Sequence, residues 1–122
     1  MTSGRFIYHI TGEAAWQKAR SLGWYKPPGF AADGFIHCSD LRQVTPVADR
    51  LYTGQRGLTL LQIIVSRLVS RVVYENLEGG LEPFPHIYGE LNVDAVSRAI
   101  PFDPGPDGRF TLPVELVSEC PG

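Results

Sequence analysis

Three histidines, each followed two positions later by a hydroxyl side chain, are the residues with the clearest potential for chemistry. They stand in the stretches RFIYHIT, GFIHCSD and PFPHIYGE, as His9, His37 and His86. Their hydroxyl partners are Thr11, Ser39 and Tyr88. An imidazole exchanges protons near neutral pH, and a hydroxyl can hold one ring nitrogen or bind the same ligand oxygen. The pattern therefore predicts a site for ribose hydroxyls or phosphate.

The period of a β-strand places each histidine and its hydroxyl partner on one face, because side chains at i and i+2 point to the same side. His86 and Tyr88 then share a face with Glu90. Glu90 is a candidate catalytic acid, but we interpret it as a solvated charge at a sheet edge. Whether the three histidines converge on one site cannot be read from the sequence, because strand order is not encoded in the spacing.

Two other interpretations of the histidines stay open. A half-buried strand histidine is often a satisfied core residue, and Thr11 and Ser39 can serve only as helix caps. Three neutral imidazoles can also bind zinc, as in a metal hydrolase. Because no two histidines have the close spacing common in such sites, we expect no metal.

Length and charge exclude several classes of function. A chain of 122 residues with a net charge of −2 fits a single domain, 1–122, and contains no run of Lys or Arg that would follow a phosphate backbone. We therefore expect a small-molecule partner and no long nucleic acid. No stretch approaches the ~20 apolar residues of a membrane span, so we expect a cytoplasmic protein without membrane contact. Of the two cysteines, Cys38 is expected to be buried and reduced and Cys120 to lie in a tail.

The first half of the chain alternates strands and helices. Arg5 to Ile10 is a predicted strand, and Thr11 is expected to cap a helix that begins near Glu13 and ends at Gly23. A second strand is expected from Gly34 to Cys38. Ser39, or Thr45 followed by Pro46, is expected to cap a second helix whose apolar face holds Val47, Ala48, Leu51 and Tyr52.

The second half is rich in strands. Leu58 to Val65 is an apolar, β-branched run that fits a strand covered on both faces. The stretches SRVVYENL, HIYGEL, AVSRAIPF and RFTLPVEL are further strand candidates, and Asp107-Gly108 predicts an exposed hairpin or loop. Early helices followed by a meander of strands indicate an α+β fold with mostly antiparallel pairing. Trp16, Trp24 and Tyr25 are expected to close the core around the first loop.

These segments carry a resemblance to a known family. YHIT near the N-terminus, then DGFIHCSD, VVYENL and FPHIYGELNVDAV, resemble the bacterial family designated domain of unknown function 952 over nearly the whole chain. That family resembles the ADP-ribosyltransferases in fold, and its strand histidines are similar to those of the RNA 2'-phosphotransferases, which use NAD. The resemblance implies split antiparallel β-sheets with two or three short helices around a cleft that holds NAD.

The resemblance also implies roles for the histidines. His9 and Thr11 would bind the ribose of NAD, and His37 falls at or near a position that in many ADP-ribosyltransferases is a tyrosine beside nicotinamide. We therefore expect His9 and His37 to be catalytic, and expect His9, Thr11, Ser39, His86 and Tyr88 to bind the cofactor. The expected function is NAD-dependent ADP-ribosyl transfer or 2'-phosphotransfer. The alternative is a module that binds a nucleotide or ADP-ribose without turnover.

Overall fold

The computed structural model describes residues 5–77, 79–80 and 82–117. The strands are β1 (Phe6–Gly12), β2 (Trp24–Tyr25), β3 (Ile36–His37), β4 (Leu58–Ile64), β5 (Arg71–Glu75), β6 (Phe84–Tyr88), β7 (Leu91–Asn92) and β8 (Val96–Phe102). The helices are α1 (Glu13–Leu22), α2 (Phe30–Asp33), α3 (Val44–Tyr52) and α4 (Val114–Val117). Short 3-10 turns precede α3 and join β4 to β5 and β7 to β8. The predicted α+β class is confirmed, and all the strand pairs described are antiparallel.

The sheet β1-β4-β8 has a hydrophobic core on each face. Ile7 of β1 and Ile63 of β4 pack into the first core, whereas Tyr8 and Leu60 pack into the second. β4 is predominantly apolar because both of its faces are covered, as its sequence predicts, and its polar residues Thr59 and Gln62 are buried as well. Phe102 of β8 closes the second core.

The step from β1 to α1 differs in one detail from the prediction. α1 begins at Glu13 and ends at Gly23, whose φ of 90° is the left-handed conformation that glycine adopts easily. Its N-cap residue is Gly12, and no side chain caps it. Thr11 as the cap is therefore wrong, because β1 continues through Gly12 and the Thr11 hydroxyl bonds to Tyr25 instead.

The second of the two predicted helices corresponds to α3, and it is preceded by other capping residues than those predicted. A 3-10 turn at Leu41–Gln43 leads directly into α3, and Asp40 and Gln43 cap that turn through a reciprocal capping box. Ser39 and Thr45 are therefore not caps; the Ser39 backbone pairs with β1, and Thr45 lies inside α3. The strand predicted from Gly34 to Cys38 is shorter, since Gly34 ends α2 and only Ile36–His37 forms β3.

A second sheet, β3-β6-β5, stands beside the first, and a two-stranded ribbon joins β2 to β7. The two three-stranded sheets meet where Tyr8 and Ser39 exchange backbone N–H···O hydrogen bonds of 2.8 Å in both directions. In the second sheet, His37 of β3 lies directly opposite His86 of β6. This arrangement carries the end of β3 to the middle of β1.

The C-terminal part departs most from the prediction. RFTLPVEL is not a strand: residues 109–113 are irregular, and Val114–Val117 forms the single turn α4. Phe110 fills the second core rather than pairing in a sheet. The preceding loop is mostly exposed and turns at Gly108, but without a following strand it is no hairpin. Cys38 is a buried free thiol, as expected, whereas Cys120 lies outside the described residues. Within the described ranges, no helix has the length and apolar character needed to cross a membrane.

Candidate functional site

A cavity of about 510 Å³ opens between the two three-stranded sheets, next to α3 and the loop after β2. This volume lies in the range of small-molecule sites. All three histidines line the cavity, together with Thr11 and Ser39. The two sheets meet at Tyr8 and Ser39, and this junction is the reason that histidines far apart in sequence reach the same space.

His9 is almost enclosed by protein. Its side chain lies on the first-core face of β1, and the residue is 8 % exposed. Nδ1 is 2.6 Å from the carbonyl oxygen of His37, and Nε2 is 2.9 Å from the Tyr25 hydroxyl. Burial lowers the pKa of His9 from 6.5 to about 4, so the ring is neutral at physiological pH. Both ring nitrogens are thus engaged by protein partners.

The neutral state of His9 fixes the direction of a short hydrogen-bond chain. A carbonyl oxygen only accepts, so His9 Nδ1 carries the ring proton and Nε2 is an acceptor. Burial also raises the pKa of Tyr25 to about 12, so its hydroxyl keeps its single proton and donates it to Nε2. The Thr11 hydroxyl, 3.0 Å from the Tyr25 oxygen, must then donate to it. Thr11 consequently offers its oxygen lone pairs to the cavity.

His86 is held differently, by a carboxylate behind it. Its Nδ1 donates to Glu75 Oε2 over 2.8 Å, and the Tyr88 hydroxyl donates to the same oxygen. Hydrogen bonds from Tyr88 and His86 hold the pKa of Glu75 below its ordinary value, so the carboxylate stays ionised. Tyr88 contributes to this site through Glu75 rather than by lining the cavity.

His37 stands at the mouth of the cavity beside His86. Its side chain is 49 % exposed, and Nε2 is 3.2 Å from Asp33 Oδ2 on α2. The His37 and His86 rings meet edge to face, with centroids 5.1 Å apart. Phe35 stacks on His86 with a centroid distance of 4.1 Å and contacts His37 with its edge. Two imidazoles, each with its own carboxylate, are therefore packed on one aromatic ring.

The opposite wall of the cavity is mainly apolar. Val47 and Leu51 of α3 line it, with Pro27 and Pro28 of the loop after β2. Leu51, expected in a helix face that packs on the core, is 57 % exposed and forms part of the cavity rim instead. A wall of this kind can hold the planar or aliphatic part of a ligand while the histidine wall binds its polar groups.

The predicted site residues divide into three groups. His9, Thr11, Ser39, His37 and His86 are brought together in the cavity lining. Tyr88 lies behind it against Glu75. Glu90 is exposed and outside the lining, in agreement with a solvated edge charge.

Sequence reasoning missed three partners of the histidines. Tyr25 packs in the first core with Trp16, as expected, whereas Trp24 is 40 % exposed and lies outside that core, contrary to expectation. Tyr25 also carries the hydroxyl between His9 and Thr11. Asp33 precedes His37 by four residues, a spacing that could have drawn attention to it. Glu75 ends the alternating stretch VVYE, but its contact with His86 depends on the pairing of β5 with β6.

Metal ligation finds little support in this geometry. Among residues 5–77, 79–80 and 82–117, no three His, Cys, Asp or Glu side chains are grouped so that they could hold a metal ion. His9 would also have to release the His37 carbonyl or Tyr25 before it could act as a ligand.

The comparisons with known proteins concern the same elements. The family model described as Protein of unknown function (DUF952) matches residues 10–99, which run from the end of β1 into β8 and include His37 and His86 but not His9. The crystal structure of protein CC0527 from Caulobacter crescentus is similar to this chain with a TM-score of 0.79 and 34 % identity, over 88 % of this chain and 94 % of that one. The solution NMR structure of CC0527 gives a TM-score of 0.80 and 33 % identity, over 93 % and 98 % of the two chains. No curated protein matches. On the extent of the family match and the identity to CC0527, the chain belongs to the DUF952 family.

Proposed function

We propose that the cavity binds NAD and that the protein transfers the ADP-ribosyl part of NAD to an acceptor. The observation that carries this proposal is the convergence of His9, His37 and His86 on one cavity that also contains Thr11 and Ser39. A ribose presents paired hydroxyls, and the cavity lining contains both hydroxyl and imidazole side chains that can bind them. The resemblance of the His-x-Thr segment to that of NAD-using transferases supports the same ligand.

The ribose hydroxyls are assigned to Thr11 and Ser39. Thr11 donates to Tyr25, so its oxygen can accept a hydrogen bond from a ribose hydroxyl. The Ser39 hydroxyl makes no hydrogen bond within the described part of the chain, and the residue lines the cavity. His9 then acts by positioning Thr11 through Tyr25, and Ser39 lies toward the nicotinamide or acceptor end.

The chemistry asked of this site is modest. Transfer breaks the bond between ribose C1' and the nicotinamide nitrogen and forms a bond from C1' to the acceptor, whose proton is released. The transition state resembles an oxocarbenium ion, so holding the ribose and excluding water contribute more than a covalent nucleophile.

The more specific fold expectation belongs to this proposal. An ADP-ribosyltransferase-like arrangement is supported by two antiparallel sheets on either side of a cavity, with the His-x-Thr segment on β1. A 2'-phosphotransferase would use the same ribose contacts, and it would differ in the acceptor that occupies the mouth beside His37.

Two observations favour the second candidate, a module that binds NAD or ADP-ribose without turnover. Both ring nitrogens of His9 are engaged by protein, and Glu90 stands outside the cavity. The late-strand acid that orients the reacting groups in glutamate-type ADP-ribosyltransferases therefore has no counterpart at Glu90.

Titration calorimetry with NAD, paired with chromatographic assay of nicotinamide release, tests both candidates. We expect NAD to bind and Ser39→Ala to weaken binding roughly fivefold, the effect of one hydrogen bond. The matched control is Ser66→Ala, because Ser66 is exposed and outside the cavity. Binding with nicotinamide release supports the transferase, and binding without release supports the module. An NAD affinity that Ser39→Ala leaves unchanged contradicts both.

A further inference from the structure

We propose that His86 and His37 form an oxyanion subsite that binds the phosphate groups of the ligand and takes up a proton when the anion binds. The inference rests on the proposed function in one respect, since it concerns the same cavity and assigns it the diphosphate of a nucleotide. It does not depend on NAD itself, because any phosphate ester or diphosphate presents the same oxygens.

His86 has one ring nitrogen left for a ligand. Nδ1 donates to Glu75, and Nε2 makes no hydrogen bond within the described part of the chain. No enclosed side-chain nitrogen or oxygen there lacks a partner, so Nε2 must be reachable from solvent. The residue is only 2 % exposed and lines the cavity. The route from solvent to Nε2 therefore runs through the cavity.

The position of the His86 ring is fixed before any ligand arrives. Phe35 stacks on one side at 4.1 Å with an interplanar angle of 16°, and Glu75 holds Nδ1. Glu75 is itself held by Tyr88. A donor fixed in this way loses little conformational entropy on binding, and a carboxylate behind an imidazole strengthens the positive form of the ring.

The electrostatic argument explains the proton uptake. His37 and His86 are direct cross-strand partners, and two positive charges at such positions repel each other. An anion bound in the cavity beside both rings attracts the positive charge on each ring and offsets the repulsion between them. Anion binding therefore favours the form in which both His37 and His86 are protonated. Charge-assisted hydrogen bonds to phosphate are also stronger than neutral ones.

Several ionisable groups surround the pair and set the balance of charge. Asp33 and Glu75 are the negative partners of the two rings. Tyr88 on β6 and Arg71 over the Tyr88 ring lie beside Glu75, and the cavity lining adds further titratable or charged groups, namely Tyr8, His9, Tyr25, Cys38, Arg50 and Tyr52.

Calorimetric titration in two buffers of different ionisation enthalpy at one pH measures the protons taken up, with ADP-ribose and inorganic pyrophosphate as probes. We expect uptake of up to one proton with both probes. His86→Asn should weaken binding at least tenfold and abolish most of the uptake, because asparagine can still donate to Glu75 but has no protonatable nitrogen and no donor at the position of Nε2. Glu75→Gln should reduce affinity less. The matched control is Glu90→Gln, an exposed carboxylate outside the cavity.

A measurement on the wild-type protein guards against a variant that fails to fold. In the ¹⁵N NMR spectrum of the histidine rings, pyrophosphate should shift the His86 Nε2 resonance toward the protonated form. Proton uptake on binding pyrophosphate, without binding of NAD, supports the subsite and rejects NAD as the ligand. Binding of NAD with no uptake and with full affinity in His86→Asn overturns the subsite and leaves NAD in place. Failure of ADP-ribose and pyrophosphate to bind overturns the subsite.

Discussion

The His9 region and the His86 region share one sequence pattern, but the ring nitrogens of the two histidines have different surroundings in the folded protein. Both are strand histidines with a hydroxyl at i+2. His9 has both nitrogens bonded to protein, and its ring is neutral because burial lowers its pKa to about 4. His86 has one nitrogen bonded to a carboxylate and the other reachable from the cavity.

The difference teaches what decides whether a buried histidine is structural or functional. The deciding features are the partner that holds one ring nitrogen and whether the other ring nitrogen faces the cavity. Burial itself does not decide, since His86 is more enclosed than His9. Hydrogen bonds to a carbonyl oxygen and a hydroxyl occupy both nitrogens of His9, and the neutral ring thereby connects β1, β2 and β3. A carboxylate holds only Nδ1 of His86 and leaves Nε2 facing the cavity.

The largest effect that would test this comparison is the loss of stability in His9→Ala. The change removes a ring that joins three strands and leaves the His37 carbonyl and the Tyr25 hydroxyl without their partner. We expect the free energy of unfolding to fall by about 2–4 kcal/mol, as measured by urea denaturation.

The matched control for that change is His37→Ala. It removes an imidazole that is half exposed but keeps the backbone carbonyl that His9 binds. Its effect should stay below about 1 kcal/mol. Equal losses of unfolding free energy in the two variants would contradict the distinction between His9, which bridges strands, and His37, whose side chain is half exposed.

A second effect concerns pH. In the unfolded chain His9 has a pKa of about 6.5 and takes up a proton as the pH falls, whereas in the folded chain it stays neutral down to about 4. The unfolded state then binds more protons, so the contribution of His9 to stability is complete above pH 6.5 and is lost as the pH falls toward 4.

Urea denaturation between pH 6.5 and 5 measures this contribution, which should amount to about 2 kcal/mol in that interval. The low folded pKa values of Glu13 and Glu75 act mainly below this interval, because the ordinary pKa of a glutamate is 4.5. NMR titration of the His9 ring gives an independent check. A midpoint near 6.5 in the folded protein would show that the ring is not sealed.

The large elements could be predicted from sequence because each rests on local rules. Burial on both faces makes Leu58 to Val65 predominantly apolar, and Gly23 supplies the left-handed residue that ends α1. The caps could not be predicted as reliably, because Thr11 and Ser39 have another use in the tertiary structure. RFTLPVEL has the composition of a strand, but Phe110 is taken into the second core and no edge pairs with it.

The candidate site was predictable only in its residue types. The i+2 pattern identifies the histidines, but the roles of Tyr25 and Glu75 depend on the pairings β2-β7 and β5-β6, which no local signal specifies. The convergence itself depends on the Tyr8–Ser39 bridge between two sheets. Long-range pairing is therefore the information that the sequence pattern lacks.

The smallest effect comes from Tyr25→Phe, which interrupts the chain from Thr11 to His9 without removing a ring. His9 Nε2 loses its donor inside the protein, whereas the Thr11 hydroxyl lines the cavity, where water can take the place of Tyr25. We expect a loss of about 1 kcal/mol in the free energy of unfolding, less than in His9→Ala because the packing is kept. Tyr52→Phe is the control, since Tyr52 also lines the cavity but makes no hydrogen bond through its hydroxyl in the described part of the chain. If Tyr25→Phe and Tyr52→Phe unfold at the same urea concentration as the wild type, the Tyr25 hydroxyl does not support His9, and the bridge depends on the His37 carbonyl alone.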